Sequence, residues 1–203
     1  MSSKLSTKEQ IIKVASDYFS EHGYDATSLE SVAKVCGISK PAIYYHFKDK
    51  SSLYEAVLVE YFQKLSYYIT QHTIEDDPKK NLKMYIRIFG DYLISHKNFC
   101  AIFSREIAND AKTLPDSCIV ELSKTLETLV SILNDGEQKG VFKCENPFMI
   151  QMMVVTTLSA YLTTKDLRKR VSKVLSEYNH QLDPNIDDLI DNLTDKIIKA
   201  LEC

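Results

Sequence analysis

Apolar residues recur with the 3.6-residue period of an α-helix along nearly the whole chain, and this periodicity most limits the possible folds. In the first pattern Ile11, Val14 and Tyr18 fall on one face. The alternating pattern of half-buried β-strands is nearly absent. The sequence therefore predicts an all-α fold, in which each helix buries a stripe of apolar side chains.

Capping residues mark where the first two helices begin and end. Ser6 and Glu9 have the spacing of a capping box, in which each side chain accepts from the backbone amide of the other. Gly23 then predicts the end of this helix. A second box, Thr27-Ser28-Leu29-Glu30, predicts a short helix that ends at Cys36-Gly37.

Beyond residue 70, prolines precede or open the apolar patterns and separate the remaining helices. A connecting helix is expected from about residue 51. Further helices are predicted over residues 79–95, 98–108, 116–138, 147–163, 166–179 and 185–201. The predicted organisation is a three-helix N-terminal unit, the connecting helix, and a larger helical bundle.

Residues 28–47 have the organisation of a helix-turn-helix. Two short apolar patterns are joined by a turn at Gly37, and Ser39 is placed to cap the second, with Pro41 in its first turn. In that motif the second helix lies in the major groove of DNA. An ordinary helical hairpin has the same spacing and is commoner, so the spacing alone leaves both interpretations open.

The net charge and the spacing of the cysteines argue against several classes of protein. The 203 residues carry a formal net charge of −3, so a basic surface for nucleic acid must be local. The five cysteines are odd in number and lack C-x-x-C or Cys/His ligand spacing, which argues against a zinc site or a disulfide framework. No metal and no cofactor is predicted.

The sequence has no pattern typical of secretion or of a membrane span. The first ten residues are polar and contain no apolar signal segment. The most apolar stretch, Phe148 to Leu162, is shorter than the roughly 18–20 residues that a span needs. We therefore expect a cytoplasmic protein with no membrane partner.

Motifs of the common enzyme classes are missing from the sequence. It has no dinucleotide-binding glycine pattern, no P-loop, no H-E-x-x-H and no G-x-S-x-G. The histidines are scattered rather than clustered. The chain is therefore predicted not to be an enzyme.

The stretch TSLESVAKVCGISKPAIYYHFKDKSSLYEAV, with the preceding FSEHGYDAT, resembles the N-terminal DNA-binding domain of TetR-family transcriptional regulators. The run Tyr44-Tyr45-His46-Phe47 followed by Lys50 is its most specific part. The resemblance implies a DNA-binding domain at residues 5–65 and a helical ligand-binding and dimerisation domain at residues 66–203. Beyond residue 70 it concerns architecture alone.

The motif and the resemblance together supply the candidate DNA contacts. These are Thr27, Ser28, Ser39, Lys40, Pro41, Ala42, Tyr44, Tyr45, His46 and Lys50. Ser39 and Lys40 begin the recognition helix, closest to base edges, and Ala42 offers a small apolar surface for a thymine methyl group. Thr27 is expected at a helix N-terminus, which suits a phosphate, although a capping role alone is also open.

The tyrosines, the histidine and Lys50 receive their roles from the resemblance. It implies that Tyr44 both packs and contacts the DNA backbone and that Tyr45 faces the groove. It also implies that His46 and Lys50 contact phosphates. The apolar residues between them are assigned to packing, namely Ile38, Ile43 and Phe47.

Two broad apolar patterns near the C-terminus suggest how copies of the chain associate. PFMIQMMVVTTLSAYL is apolar on nearly every side, and IDDLIDNLTDKIIKAL carries a wide apolar stripe. The resemblance implies a homodimer formed through these last two main helices. Burial of both helices within their own domain explains the patterns as well.

The resemblance also implies a small-molecule effector inside the second domain. Candidate lining residues are Met84, Tyr85, Ile88, Phe89, Phe99, Phe103, Met152, Met153, Thr156 and Tyr161. Methionine and aromatic side chains make adaptable walls, although each residue is also explained as plain core. Arg105-Glu106 is expected on a solvated face, with orientation of a polar ligand group as the alternative. No charged cluster in apolar surroundings is evident. This favours a hydrophobic or amphipathic ligand.

The chain is thus predicted to be a ligand-responsive regulator, a homodimeric repressor that a small effector releases from double-stranded operator DNA. One alternative keeps the DNA-binding role but places the switch in oxidation of Cys100, Cys118 or Cys144. Another is a helical protein-interaction module without DNA binding.

Overall fold

The computed structural model describes residues 5–73, 75–175 and 184–203. These residues form ten helices, and apart from one isolated bridge between Phe142 and Glu202 they contain no β-structure. In chain order the helices are α1 (Thr7–Ala26), α2 (Leu29–Cys36), α3 (Lys40–His46), α4 (Lys50–His72), α5 (Pro78–Ser95), α6 (Lys97–Ala108), α7 (Asp116–Gln138), α8 (Pro147–Thr163), α9 (Lys165–Val174) and α10 (Ile186–Leu201). The predicted all-α fold is confirmed.

Helix α1 begins where its capping box predicts, but it does not end at the predicted glycine. The Glu9 amide donates to Ser6 Oγ at 3.3 Å, and the Ser6 amide donates to the Glu9 carboxylate at 2.8 Å. Gly23 takes a left-handed backbone conformation with φ 81°, which a side chain would disfavour, and the helix resumes to Ala26. The glycine therefore marks a kink near the end of α1.

Helix α2 begins one residue later than its predicted capping box. Its N-cap is Ser28, whose Oγ accepts from the Ser31 amide at 3.1 Å, and the Ser28 amide donates in return to Ser31 Oγ. The predicted pairing of Thr27 with Glu30 is wrong. Serine and threonine are both good caps, so the choice between neighbours depends on where Thr27 finds its partners.

Most later helices lie where proline punctuation and periodicity predict them. Helices α7 and α8 have the predicted bounds, and α5 begins at Pro78 itself. For the predicted helix at 166–179, the structure has α9 over Lys165–Val174, and the predicted end falls outside the described residues.

The chain divides into two compact units. The first comprises residues 1–64 and 96–122 and the second residues 65–95 and 123–203. In the first unit α6 packs against α1, with Phe99 and Phe103 against Phe62 at ring separations of 4.9 and 5.3 Å. Residues 96–122, which the sequence-based division assigns to the second domain, therefore lie with the helix-turn-helix.

The second unit is built on contacts of α5 with α8 and α10. At Gly90 of α5, an added Cβ would lie 2.5 Å from Ile190 Cδ1 of α10. The apolar stripe of α10, including Leu193 and Ile197, is buried within this unit. A side chain at residue 90 would therefore require the Ile190 side chain to shift.

Candidate nucleic-acid interface

Helix α3 is held by two apolar side chains on its inner side. Ile43 is fully buried and Phe47, its C-cap residue, is 3% exposed. Both were assigned to packing from the sequence, and both assignments are confirmed, whereas Ile38 is half-buried. Ser39 caps the helix as predicted, accepting from the Ala42 amide at 3.4 Å. The inner anchors fix which residues of this short helix face outward.

The outer side of α3 presents aromatic rings with polar tips. Tyr45 is 86% exposed and Tyr44 is 43% exposed. The Tyr45 ring meets the half-buried His46 ring edge-on, with centroids 5.2 Å apart. Ser39, Lys40 and Pro41 are exposed at the start of the helix, and Ala42 is half-buried. Most of the predicted contacts of α3 are thus exposed, whereas Ala42 and His46 are half-buried.

An ion pair holds the predicted base-reading lysine against α2. Lys40 Nζ lies 2.7 Å from Glu30 Oε1 and 5.8 Å from the centroid of the Tyr44 ring. The hydrogen bond from Lys40 lowers the pKa of Glu30 from its ordinary value, and the same bond raises the pKa of Lys40. Such an exposed pair contributes little stability, so Lys40 can exchange Glu30 for another acceptor.

The polar groups of Thr27 are engaged within the protein. Its hydroxyl donates to the Gly23 carbonyl at 2.8 Å, its amide donates to the Tyr24 carbonyl at 3.3 Å, and the residue is 2% exposed. The exposed Ser28 stands at the N-terminus of α2 instead. A DNA contact by Thr27 stays a prediction, and it requires these bonds to open.

Lys50 is likewise bound to the backbone. Its Nζ donates to the Tyr24 carbonyl at 2.8 Å and to the Asp25 carbonyl at 3.2 Å, and it lies 4.3 Å from the centroid of the Tyr24 ring. These carbonyls belong to the last turn of α1, which attracts cations. The predicted phosphate contact of Lys50 stays a prediction, and in this structure the lysine stabilises the α1–α2 connection.

Arg105 of α6 also donates to backbone carbonyls of α1, a role that the sequence analysis did not predict. Its guanidinium donates to the carbonyls of Phe19 and Glu21, each at 3.0 Å, and to that of Ser20. Arg105 and Glu106 were predicted to lie on a solvated face, and this prediction is wrong for Glu106, which is 3% exposed. Glu106 lies three residues after Phe103 and four after Ile102, and this helical spacing was the sequence signal for its burial.

The predicted ligand-lining residues do not share one environment. Phe99 and Phe103 are buried in the first unit, and the others lie in the second. Tyr85 and Phe89 are buried, Ile88 is half-buried, and Met152 and Met153 are exposed on α8. Thr156 Oγ1 donates to the Met152 carbonyl at 2.5 Å, and the Tyr161 hydroxyl donates to the Pro184 carbonyl.

Burial isolates the hydroxyl of Tyr85 inside the second unit. It donates to Gln151 Oε1 at 2.5 Å, and burial raises the pKa of Tyr85 well above its ordinary value. The tyrosine therefore remains neutral and serves as a hydrogen-bond donor.

Met84 lines a cavity of about 610 Å³ in the second unit. The other lining residues are mostly charged or polar: His72, Glu75, Lys80, Lys83, Arg87, Asp191, Thr194 and Asp195. Arg87 is held by Asp187 at 2.9 Å and Asp191 at 2.5 Å. The sequence indicated no cluster of charged residues at a ligand site, whereas this cavity is lined by several of them.

Among the helices that the structure describes, none is both long enough and apolar enough to cross a membrane.

Comparisons with known proteins agree with the geometry of the N-terminal unit. Residues 11–57 match the family described as bacterial regulatory proteins, tetR family. The chain is 26% identical over 150 residues to the Bacillus subtilis (strain 168) HTH-type transcriptional regulator YuxN, a match covering 70% of this chain and 50% of YuxN. It is 50% identical over 48 residues to the negative regulator IcaR of Staphylococcus aureus (strain Newman), covering 24% of this chain and 26% of IcaR.

These curated relatives are matched over half of their length or less. The fold as a whole is similar to the TetR-family regulator PfmR from Thermus thermophilus, with a TM-score of 0.75, 21% identity and coverage of 98% of this chain and 100% of PfmR. The helix-turn-helix with its outward tyrosines agrees with the match at residues 11–57, and this N-terminal part of the chain is similar to the DNA-binding domain of the tetR family of bacterial regulatory proteins.

Proposed function

We propose that this chain is a homodimeric repressor that binds operator DNA through α3 and is released by a small amphipathic effector. The observation that carries the proposal is the two-sided construction of α3. Ile43 and Phe47 anchor its inner side, while Tyr44, Tyr45 and Lys40 are exposed, with the Tyr44 hydroxyl and Lys40 Nζ both bound to Glu30 Oε1, at 3.3 and 2.7 Å. Donors of this kind suit phosphate oxygens and base edges.

Roles follow from position along the helix. Ser39 and Lys40, at the N-terminal end, meet base edges or nearby phosphates, and Ala42 contacts a thymine methyl group. Tyr45 reaches into the DNA groove or to its edge. Tyr44 and His46 contact the DNA backbone on either side of the groove. Lys40 leaves Glu30 for the DNA, which costs little because their ion pair is exposed.

Repression rather than activation is supported by the description of a relative. IcaR is described as a negative transcriptional regulator, and its similarity to this chain covers 48 residues. We carry repression over on that basis, together with the predicted operator and effector.

Dimerisation through the C-terminal helices is supported more strongly by α8 than by α10. Helix α8 exposes a run of large apolar side chains: Phe148 (65%), Met149 (46%), Met152 (48%) and Met153 (37%). Their spacing places them on one stripe of the helix, and contiguous apolar surface of this kind marks an interaction site. The apolar stripe of α10 is already buried in its own unit, so α10 contributes its polar face to the dimer.

The effector is proposed to bind in the second unit and to be amphipathic rather than purely hydrophobic. The cavity of about 610 Å³ beside Met84 is within the usual size of small-molecule sites. Lys80 and Lys83 line it and would hold an anionic or strongly polar head group, while Met84 supplies an apolar contact.

Release from DNA requires that the effector bind one conformation more tightly than another. Helix α4 is the proposed path, because it is continuous over Lys50–His72 and has residues in both units. Its first residue binds the end of α1, and His72 lines the effector cavity. Movement of α4 would change the separation of the two recognition helices in a dimer.

The decisive experiment is selection of bound DNA from a random pool, using the full chain. A dimer of this kind should select two half-sites in inverted orientation, with centres about one helical turn apart or a multiple of it. Repeating the selection with Lys40→Ala should change the preferred bases at one position in each half-site. Recovery of no enriched sequence, or the same sequence with the variant, contradicts the proposed reading by α3.

The cysteine-switch alternative receives no support from the thiols inside the first unit. Cys100 is 2% exposed and Cys118 is fully buried. Burial raises the pKa of Cys100 to about 11 and that of Cys118 to about 12. Buried thiols that remain protonated react slowly with oxidants.

A further inference from the structure

A cavity of about 230 Å³ lies in the first unit beside the kink of α1. It is lined by α1 residues on both sides of Gly23, by Tyr54 of α4, and by α6 residues with the turn that follows. It is separate from the charged cavity of the second unit. Its unusual feature is a buried carboxylate with an oxygen that lacks a donor.

That carboxylate belongs to Glu106. Its Oε1 accepts two hydrogen bonds, from the Tyr54 hydroxyl and from Thr113 Oγ1, each at 2.5 Å. Both donors line the cavity together with Glu106. The second oxygen, Oε2, has no hydrogen-bond partner among the described residues. A buried carboxylate oxygen without a donor is costly, so the site calls for a further donor.

Two cations beside this cavity donate to backbone carbonyls rather than to Glu106. Arg105 lines the cavity, but its guanidinium donates to the Phe19, Ser20 and Glu21 carbonyls. Lys50 Nζ donates to the Tyr24 and Asp25 carbonyls. No salt bridge to Glu106 is formed in the described part of the chain. The other titratable groups that line the cavity include His22 and Asp25, and Asp25 adds negative charge.

Three aromatic residues also line the cavity. Phe19 and Tyr54 pack edge to face with centroids 4.7 Å apart, and Tyr24 lies 4.8 Å from Tyr54. The faces of aromatic rings attract cations, and the attraction grows when water is excluded. A carboxylate beside several rings is the combination that recognises organic ammonium groups.

We propose that this cavity binds a compact organic cation, of the class of short primary alkylammonium ions, whose N–H groups donate to Glu106. The volume is below the roughly 300–1,000 Å³ of drug-sized pockets, which restricts the ligand to a few carbon atoms. The ammonium supplies both the missing donor and the missing positive charge. The alkyl chain lies against the aromatic wall. This site is additional to the proposed effector site and does not depend on it.

The test uses the full chain and calorimetric titration with n-butylammonium, with 1-butanol as the neutral ligand of the same length. Saturable binding of one butylammonium per chain is expected, with 1-butanol at least tenfold weaker. Equal binding of the two, or no binding of butylammonium, overturns the proposal. In the second case water alone satisfies Glu106. This comparison needs no variant and no DNA, so it stands apart from the test of operator binding.

Two variants locate the site. Glu106→Gln keeps an acceptor for Tyr54 and Thr113 but removes the charge, and it should weaken butylammonium binding at least tenfold. Glu55→Gln is the matched control, because Glu55 is an exposed glutamate of the same unit that accepts from Ser117 Oγ at 2.6 Å. It should leave binding unchanged. Unchanged binding in a folded Glu106→Gln variant, checked by circular dichroism, places the ligand elsewhere and overturns the proposal.

Discussion

Helices α3 and α8 both expose large side chains, yet the chemistry of the two surfaces differs. On α3 the exposed rings are Tyr44 and Tyr45, which end in hydroxyl groups, and a lysine stands beside them. On α8 the exposed groups are Phe148 and three methionines, which offer no hydrogen-bond donor from their side chains. Exposure alone therefore does not identify a partner. The polar tips favour nucleic acid on α3, and their absence favours another protein surface on α8.

The strongest test of this contrast places a charge on α8. Met152→Glu should raise the dissociation constant of the homodimer about a hundredfold or more, since burying an unpaired charge at an interface costs roughly 3–5 kcal/mol. Sedimentation velocity over a range of concentrations measures the effect. Met84→Glu is the matched control, because Met84 in the same unit is similarly exposed, at 43% against 48%. Equal dimerisation of the two variants would show that α8 is not the interface.

The next test removes the most exposed tyrosine of α3. Tyr45→Ala should weaken operator binding by about 1–3 kcal/mol, roughly fivefold to 150-fold, because a DNA contact is lost. The free energy of unfolding should change by less than about 0.5 kcal/mol, since the side chain is 86% exposed. Fluorescence anisotropy with labelled operator measures the affinity. Tyr67→Ala, at a tyrosine 60% exposed outside the motif, should leave it unchanged.

The reactivity of the cysteine thiols tests which of them are buried in the core and which are exposed. Cys144 and Cys203 are exposed, whereas Cys100 and Cys118 are buried with a raised pKa. The buried pair should react with iodoacetamide at least tenfold more slowly at pH 8, because little thiolate is present below the pKa. Peptide mass spectrometry over time reads each site. Rapid labelling of Cys100 in folded protein would revive the cysteine switch.

The smallest expected effect concerns the ion pair beside α3. Glu30→Gln releases Lys40 and should tighten binding to non-specific DNA about twofold to fivefold at low salt, since the lysine no longer exchanges partners. The control is Glu60→Gln, which removes another exposed pair, Glu60 with Lys64 at 2.6 Å. Weaker DNA binding by Glu30→Gln would mean that Glu30 positions Lys40 for the DNA.

The ion pair also has a predictable pH dependence. Lys40 lowers the pKa of Glu30 in the folded protein. The stability that the pair contributes is therefore present above the ordinary glutamate pKa of 4.5 and is lost as the pH falls through the lower folded value.

Much of the fold was predictable because helix signals are local. The bounds of α7 and α8 follow from prolines, capping residues and the 3.6-residue period, all of which lie within the helix or beside it. The inward position of Ile43 and the outward position of Tyr45 on α3 followed from the family resemblance. The start of α2 was misplaced by one residue, because Thr27 and Ser28 are both capable caps.

The candidate site was less predictable where charged side chains meet the backbone. Lys50 and Arg105 were expected to face phosphate or solvent, yet both donate to carbonyls near the end of α1. For Arg105 these acceptors lie 84 to 86 residues away along the chain. Glu106 was expected in solvent, and its burial depends on the packing of α6 in the first unit.

The sequence by itself determined that the chain is helical, where most helices begin, and which residues of α3 form the family motif. Each of these depends on neighbours a few residues apart. Tertiary structure alone decided which cations bind carbonyls near the end of α1 and which buried carboxylate has one oxygen without a donor among the described residues. The carbonyls of α1 are free to accept these bonds because the helix kinks at Gly23 and ends at Ala26. Lys50 of α4 and Arg105 of α6 reach those carbonyls only in the folded chain.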